Sequence, residues 1–125
     1  MKTFLLIATI CLMACQQTST SKVITNEELM ELLKETEVQL VDVRTPGEWS
    51  GGIIHNAKKI NYRDANFLEQ MNQLDKDKPV VLYCAAGGRS AGAAEKIKTL
   101  GFKAIYDLGE GFRGWKAAGM PVSEQ

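Results

Sequence analysis

The chain is poor in the residues that build metal centres. Of its 125 residues one is histidine, His55, and three are cysteine, Cys11, Cys15 and Cys84. No His/Cys cluster has metal-ligand spacing, so no resident metal is expected. Charge of one sign is also missing. Fifteen Lys and Arg balance fifteen Asp and Glu, and no basic stripe argues for nucleic acid. There is no internal repeat and no long charge run. The longest apolar run, Phe4 to Met13, falls short of the ~20 residues a membrane-spanning helix needs.

That run fits instead the apolar region of a secretory signal, with Lys2 as its positive start. The stretch Leu12-Met13-Ala14-Cys15 resembles a bacterial lipobox. The resemblance implies cleavage after residue 14 and lipidation of Cys15, with a plain signal or an uncleaved anchor as the alternatives. Gln16 after the cysteine accords with outer-membrane sorting and a domain facing the periplasm. The expected location is therefore extracytoplasmic, with the membrane reached by the lipid anchor. Residues 15–22 are polar and read as the lipidated cysteine and a flexible tether. Residues 23–125 read as one domain with one core. With Cys11 removed and Cys15 a thioether, Cys84 is left as the only thiol, and no intramolecular disulfide is possible.

The most informative stretch is Cys84-Ala85-Ala86-Gly87-Gly88-Arg89-Ser90. It follows the buried-strand pattern Val80 to Tyr83 and precedes a helix pattern from Ser90 to Leu100. A cysteine at the carboxyl end of a strand, beside an opening helix, lies where open α/β sheets bind ligands. Small residues let backbone N–H groups turn toward one sulfur, and a helix N-terminus behind it favours a thiolate or anion. Cysteine is also a common core filler, and Gly87-Gly88 is also compatible with an ordinary turn.

The remaining pattern alternates. Thr25 with Glu28 forms a capping-box signature opening a helix over 26–34. Strands are expected at 38–43, 57–60 and 104–108. Helices are expected at 63–74, where Phe67, Leu68, Met71 and Leu74 recur at helical spacing, and at 112–118. Strands alternating with helices imply an α/β fold, a parallel sheet covered on both faces.

Three segments carry a family resemblance. Leu40 to Gly52, containing Asp42-Val43-Arg44 with Glu48, Trp49 and Gly52, resembles the box "DVR-x-x-x-E-[FYW]-x-x-G". The cysteine loop resembles "C-x-x-G-x-R-S". Leu108 to Trp115 with Ala118-Gly119-Met120-Pro121 resembles "L-x-G-G-x-x-A-W-x-x-A-G-x-P". In this order they are similar to the single-domain rhodanese, or thiosulfate sulfurtransferase-like, family, from about Val23 to Val122. Ile53 stands in a usual histidine slot, Asn56 in a glycine slot, and Glu110 replaces the first glycine of the closing motif. His55 falls at a variable position and is expected on a surface loop.

The resemblance implies a sheet of about five strands and a sulfurtransferase with Cys84 as catalytic nucleophile. Sulfane sulfur would pass from a donor such as thiosulfate, through a Cys84 persulfide, to cyanide, a thiol or a protein. Ala85, Ala86, Gly87, Gly88, Arg89 and Ser90 would bind the substrate, Arg89 either clamping a sulfonate or orienting the loop. No cofactor is implied, and a monomer is expected. Arg44 and Glu48 are expected to form a structural ion pair, and Trp49 and Trp115 to pack the core. Two other readings stay open. One is a membrane-tethered sulfur carrier, sensor or interaction domain. The other is a phosphatase, although phosphatase loops place five residues between Cys and Arg where this one has four.

Overall fold

The computed structural model describes residues 18–124. The segment expected to be a signal, and Cys15, lie outside the described residues. Strand β1 spans Ser21–Ile24, α1 Asn26–Glu35, β2 Gln39–Asp42, α2 Pro46–Trp49, β3 Lys58–Lys59, α3 Phe67–Asn72, β4 Val80–Tyr83, α4 Gly88–Lys96, β5 Ile105–Leu108 and α5 Gly111–Ala117. The five strands form one sheet in the order β1-β5-β4-β2-β3, and every pairing is parallel. This is the expected α/β architecture.

Strand β4 lies at the centre and is buried at all four residues, which is why it reads as an uninterrupted apolar run. Val80, Leu82 and Cys84 join Val41, Val43 and Ile105 on one face, where α3 and α4 supply Phe67, Met71, Ala93, Ala94 and Ile97. Val81 and Tyr83 join Ile24, Leu40 and Leu108 on the other, under Leu29, Phe112 and Trp115 of α1 and α5. Each fully buried Val, Leu or Ile stabilises by roughly 1.5–3 kcal/mol relative to exposure. The stability therefore centres on the strand that carries the cysteine.

The local signals explain most boundaries. Thr25 Oγ1 accepts from the Glu28 N–H at 3.2 Å, and Glu28 Oε2 accepts from the Thr25 N–H at 2.9 Å, so the capping box forms. Glu110, at the motif's glycine slot, accepts from the Asn26 N–H at 3.2 Å, an anion at the start of α1. Trp115 is buried, and its indole N–H donates to the Pro121 carbonyl at 2.7 Å. His55 is exposed, and His55 and Asn56 both adopt positive φ in a turn.

Several expectations are corrected. Strand β1 begins at Ser21, inside the span expected to be tether, and the Ser19 N–H already donates to the Lys98 carbonyl at 3.1 Å. Its first three residues are partly or fully exposed because β1 is an edge strand, so it lacks an apolar run. The third helix begins at Phe67 rather than residue 63, because Asn61 and Asp64 accept from Asp64 and Phe67 in successive turns. Helix α2 was not expected at all.

Candidate active site

Cys84 follows β4 directly, and its residue surface is 1% exposed. The loop folds back over it. The Gly87 N–H donates to Cys84 Sγ at 3.0 Å, and Sγ lies 3.5 Å from Ser90 Oγ. Burial pushes the thiol up. The Ser90 hydroxyl and the backbone N–H groups of Ser90, Ala86 and Gly87 outweigh it, and the thiol ends below its ordinary range. Hydrogen bonding to the charged form is the cause, as the small-residue loop suggested.

Two glycines make this turn possible. Gly87 has φ +102°, and a Cβ there would lie 2.7 Å from the Gly109 carbonyl oxygen. Gly111 has φ +63°, and a Cβ there would lie 2.6 Å from the Ala85 carbonyl oxygen. The first turn of α5 is thereby pressed against the loop. The Phe112 N–H donates to the Cys84 carbonyl at 2.8 Å and the Arg113 N–H to the Ala85 carbonyl at 3.0 Å. With those carbonyls held by α5, the N–H side of the loop is left for the sulfur.

The candidate residues divide. Ala86, Gly87 and Ser90 act on the sulfur directly. Ala85 gives its carbonyl to α5, and Gly88 opens α4. Arg89 is held elsewhere: its guanidinium donates to both oxygens of Glu48 at 2.7 Å. Of its two expected roles, this geometry serves loop orientation. Glu48 Oε2 also accepts from the Thr45 N–H and hydroxyl at 3.0 and 2.8 Å, so α2 is tied to the loop. The Glu48 carboxyl is held well below the usual range, first by its bonds with Arg89 and then by Thr45, against burial.

The expected Arg44–Glu48 pair is therefore absent. Arg44 pairs with Asp42, with Nε 3.0 and 3.1 Å from the two carboxylate oxygens and NH2 2.7 Å from Oδ2. Residues two apart along an extended chain share a side, and that lets the pair close. Arg44 also donates to the Gly52 carbonyl at 2.7 Å, and its guanidinium lies 4.0 Å from the centre of the Phe112 ring. The Tyr83 hydroxyl accepts from the Ile54 N–H at 2.9 Å. Trp49 is half-buried and outside both core clusters, with Lys59 Nζ 5.9 Å from its ring centre.

Asp107 was missed by sequence reasoning. It is buried on β5 and its Oδ1 has no partner. Its one available signal was a carboxylate at an inward position of an otherwise apolar strand. Among the described residues, no group of three or more His, Cys, Asp and Glu gathers to hold a metal, and no helix is long and apolar enough to cross a membrane.

Comparison with known proteins gives a consistent likeness. Residues 25–118 match the model of the rhodanese-like domain. The chain is 35% identical over 96 residues to the thiosulfate sulfurtransferase GlpE of Coxiella burnetii, covering 77% of this chain and 88% of that protein. Among solved structures it resembles a rhodanese-related protein from Thermoplasma volcanium, with TM-score 0.72 and 32% identity over 83% of this chain and 99% of the other. It also resembles the polysulfide-sulfur transferase homodimer of Wolinella succinogenes, with TM-score 0.69 and 27% identity over 84% and 80% of the two chains.

Proposed function

Because the chain belongs to the rhodanese-like domain family, we propose that it is a sulfurtransferase working through a Cys84 persulfide. The observation that carries this reading is the sulfur itself. The Cys84 thiol, at the end of the central strand, is held by backbone and hydroxyl donors that favour its ionised form.

In the first half-reaction the Cys84 thiolate attacks the outer sulfur of thiosulfate. A new S–S bond forms, the old one breaks, and sulfite leaves with its electron pair. The persulfide anion takes the place of the thiolate, so charge is conserved. In the second half-reaction cyanide, a thiol or a protein cysteine attacks the terminal sulfur, and the thiolate is restored. Two half-reactions on one covalent intermediate give ping-pong kinetics. The Ala86, Gly87 and Ser90 N–H groups stabilise the anion at each stage. Arg89, locked to Glu48, keeps the loop in shape and adds positive charge nearby.

The test is mass spectrometry of the purified protein after thiosulfate, followed by cyanide. A persulfide adduct of one sulfur on Cys84 that cyanide removes, with sulfite released on turnover, is expected. Cys84→Ser gives neither. No adduct, and turnover no higher than in the mutant, overturns the reading. An adduct that forms without turnover with cyanide, thiols or protein acceptors leaves a stoichiometric carrier instead.

The location is part of the proposal. The segment Leu12-Met13-Ala14-Cys15 supports lipidation of Cys15 and a membrane-anchored, extracytoplasmic domain. Labelling with a fatty-acid analogue in a bacterial host should mark the wild type and not Cys15→Ala. Equal labelling of both, or of neither, removes the anchor.

A further inference from the structure

Arg89 is the one fixed charge in the cysteine loop, and its grip is turned away from the sulfur. It stands between Gly87, whose N–H donates to Cys84 Sγ, and Ser90, whose Oγ lies 3.5 Å from it. Both terminal nitrogens of the guanidinium donate to Glu48, NH1 to Oε2 and NH2 to Oε1, each at 2.7 Å. Two parallel bonds of this kind are the geometry in which arginine grips a phosphate, and by the same shape a sulfonate. The edge that a tetrahedral anion would take is therefore filled by a carboxylate of the protein.

Glu48 is held from its other side as well. Its Oε2 accepts from the Thr45 N–H at 3.0 Å and from the Thr45 hydroxyl at 2.8 Å. The Arg89 and Glu48 side chains are 22% and 34% exposed, so the pair is open to an arriving ligand. Moving Arg89 onto an incoming anion breaks two charge-assisted bonds and leaves the Glu48 carboxylate beside a like charge. The buried Arg44 is committed in the same way, to Asp42 and the Gly52 carbonyl. Arg113 joins the loop through its N–H, which donates to the Ala85 carbonyl. What the loop turns toward a ligand is its ring of backbone N–H groups, closed around one sulfur.

We propose that Glu48 is a positioning residue that sets the selectivity of the Cys84 site: by holding the fork of Arg89 it leaves the loop open to a bare sulfane sulfur and withholds the grip that a tetrahedral oxyanion needs. The favoured donor class is one whose transferable sulfur enters without a clamped sulfonate or phosphate beside it. Thiosulfate then enters by its outer sulfur and is held weakly by its sulfonate. The filled fork also disfavours phosphate esters, alongside the spacing of four residues between Cys84 and Arg89.

The proposal deepens the sulfurtransferase reading and rests on it for its purpose, but its test reads binding. Thiosulfate is titrated by calorimetry into the full-length Cys84→Ser protein, whose serine takes up no sulfur. The same titration is made with Glu48→Gln, Arg89→Ala or both added. Glu48→Gln should tighten thiosulfate binding about tenfold or more, since a hydrogen bond to a charged group is worth roughly that factor. Inorganic sulfate, a tetrahedral anion with no sulfane sulfur, should gain equally. Adding Arg89→Ala should abolish the gain, as a double-mutant cycle on a coupled pair requires. With Cys84 intact, Glu48→Gln should lower the thiosulfate KM more than it changes kcat. Unchanged or weaker binding in Glu48→Gln overturns the proposal. So does a fall in kcat with KM unmoved, the mark of a merely structural role. A gain that survives Arg89→Ala also overturns it, because the loss of a repelling charge would then suffice. Glu48→Asp, too short to hold Arg89 and Thr45 together, replaces Gln if circular dichroism shows that variant unfolded, and should give a gain of the same sign. Binding shifts as expected in a wild type without turnover would count against the sulfurtransferase reading and not against Glu48.

Discussion

Glu48 lies at a junction of three residues. It joins Arg89 of the loop to Thr45 at the start of α2 through short, charge-assisted bonds. Its carboxyl is held below the ordinary value, chiefly by Arg89. A carboxyl lowered by folding stabilises the fold above its unfolded pKa, and that contribution fades as pH falls through the folded value. Glu48→Gln should therefore lower Tm at neutral pH, and the gap from wild type should close in strong acid. Thermal melts across pH check this, and a gap that persists unchanged in strong acid contradicts it. The size will be modest because the pair is partly exposed and screened. Asp107 has the opposite sign. Folding raises its carboxyl through burial, so its ionisation weakens the fold as pH rises. Asp107→Asn should melt higher than wild type at alkaline pH and match it in acid. A lower Tm at every pH would mean that the amide is worse housed than the acid.

At the scale of elements, α5 works as a brace. Its first N–H groups hold the Cys84 and Ala85 carbonyls, and the contact is close enough that only glycine fits at Gly111. Gly111→Ala meets both a positive φ and a 2.6 Å clash with backbone. It should cost about 1–3 kcal/mol from the strained conformation alone, and it should reduce thiosulfate turnover by displacing the loop. Gly47→Ala, on exposed α2 with nothing within 4 Å of the new Cβ, is the control and should melt within about 1 kcal/mol of wild type. Chemical denaturation and turnover of both variants decide the matter. Equal behaviour would remove the brace from the account.

Elements whose cause is local were legible in the sequence. Thr25 and Glu28 announced α1, the apolar run at Val80 announced the central strand, and the small residues after Cys84 announced the loop. Helix α2 was legible too, since Thr45 precedes Pro46 and Glu48 in the same capping pattern, but four residues offer no hydrophobic period. Strand β1 was not legible, because an edge strand tolerates Ser21 and Lys22, which read as tether. The ion pairs were not legible. Arg44 had Asp42 and Glu48 within reach along the chain, and Glu48 was taken by Arg89, forty-one positions away. Only the crossing of β2 beside β4 decides that competition. Asp107 was not legible either, because its burial depends on α4 covering that face of β5.

At the scale of the whole molecule, the parallel sheet gives the chain two distinct ends. Ser21 pairs with Ile105, Ile105 with Val80, and Val80 with Gln39, so four strands begin together. Cys84 lies at the other end, beyond the last residue of β4. Four strand residues separate the ends by about 13 Å at ~3.3 Å each. The amino-terminal segment enters at the far end, where Ser19 bonds to Lys98 at the close of α4. From Cys15 to Ser19 the chain can reach at most about 14 Å. If Cys15 is anchored, so short a link holds the starting end of the sheet toward the bilayer and turns the Cys84 loop outward. The expected acceptor is then a soluble one arriving from the aqueous side. Turnover of the lipidated protein on vesicles should match that of a soluble form beginning at Gln16, both with cyanide and with a small thiol protein as acceptor. Vesicle attachment that leaves cyanide turnover intact but slows the protein acceptor by about tenfold or more, beyond the roughly twofold expected from slower encounter, would mean that the loop faces the lipid. The anchored orientation would then have to be reversed.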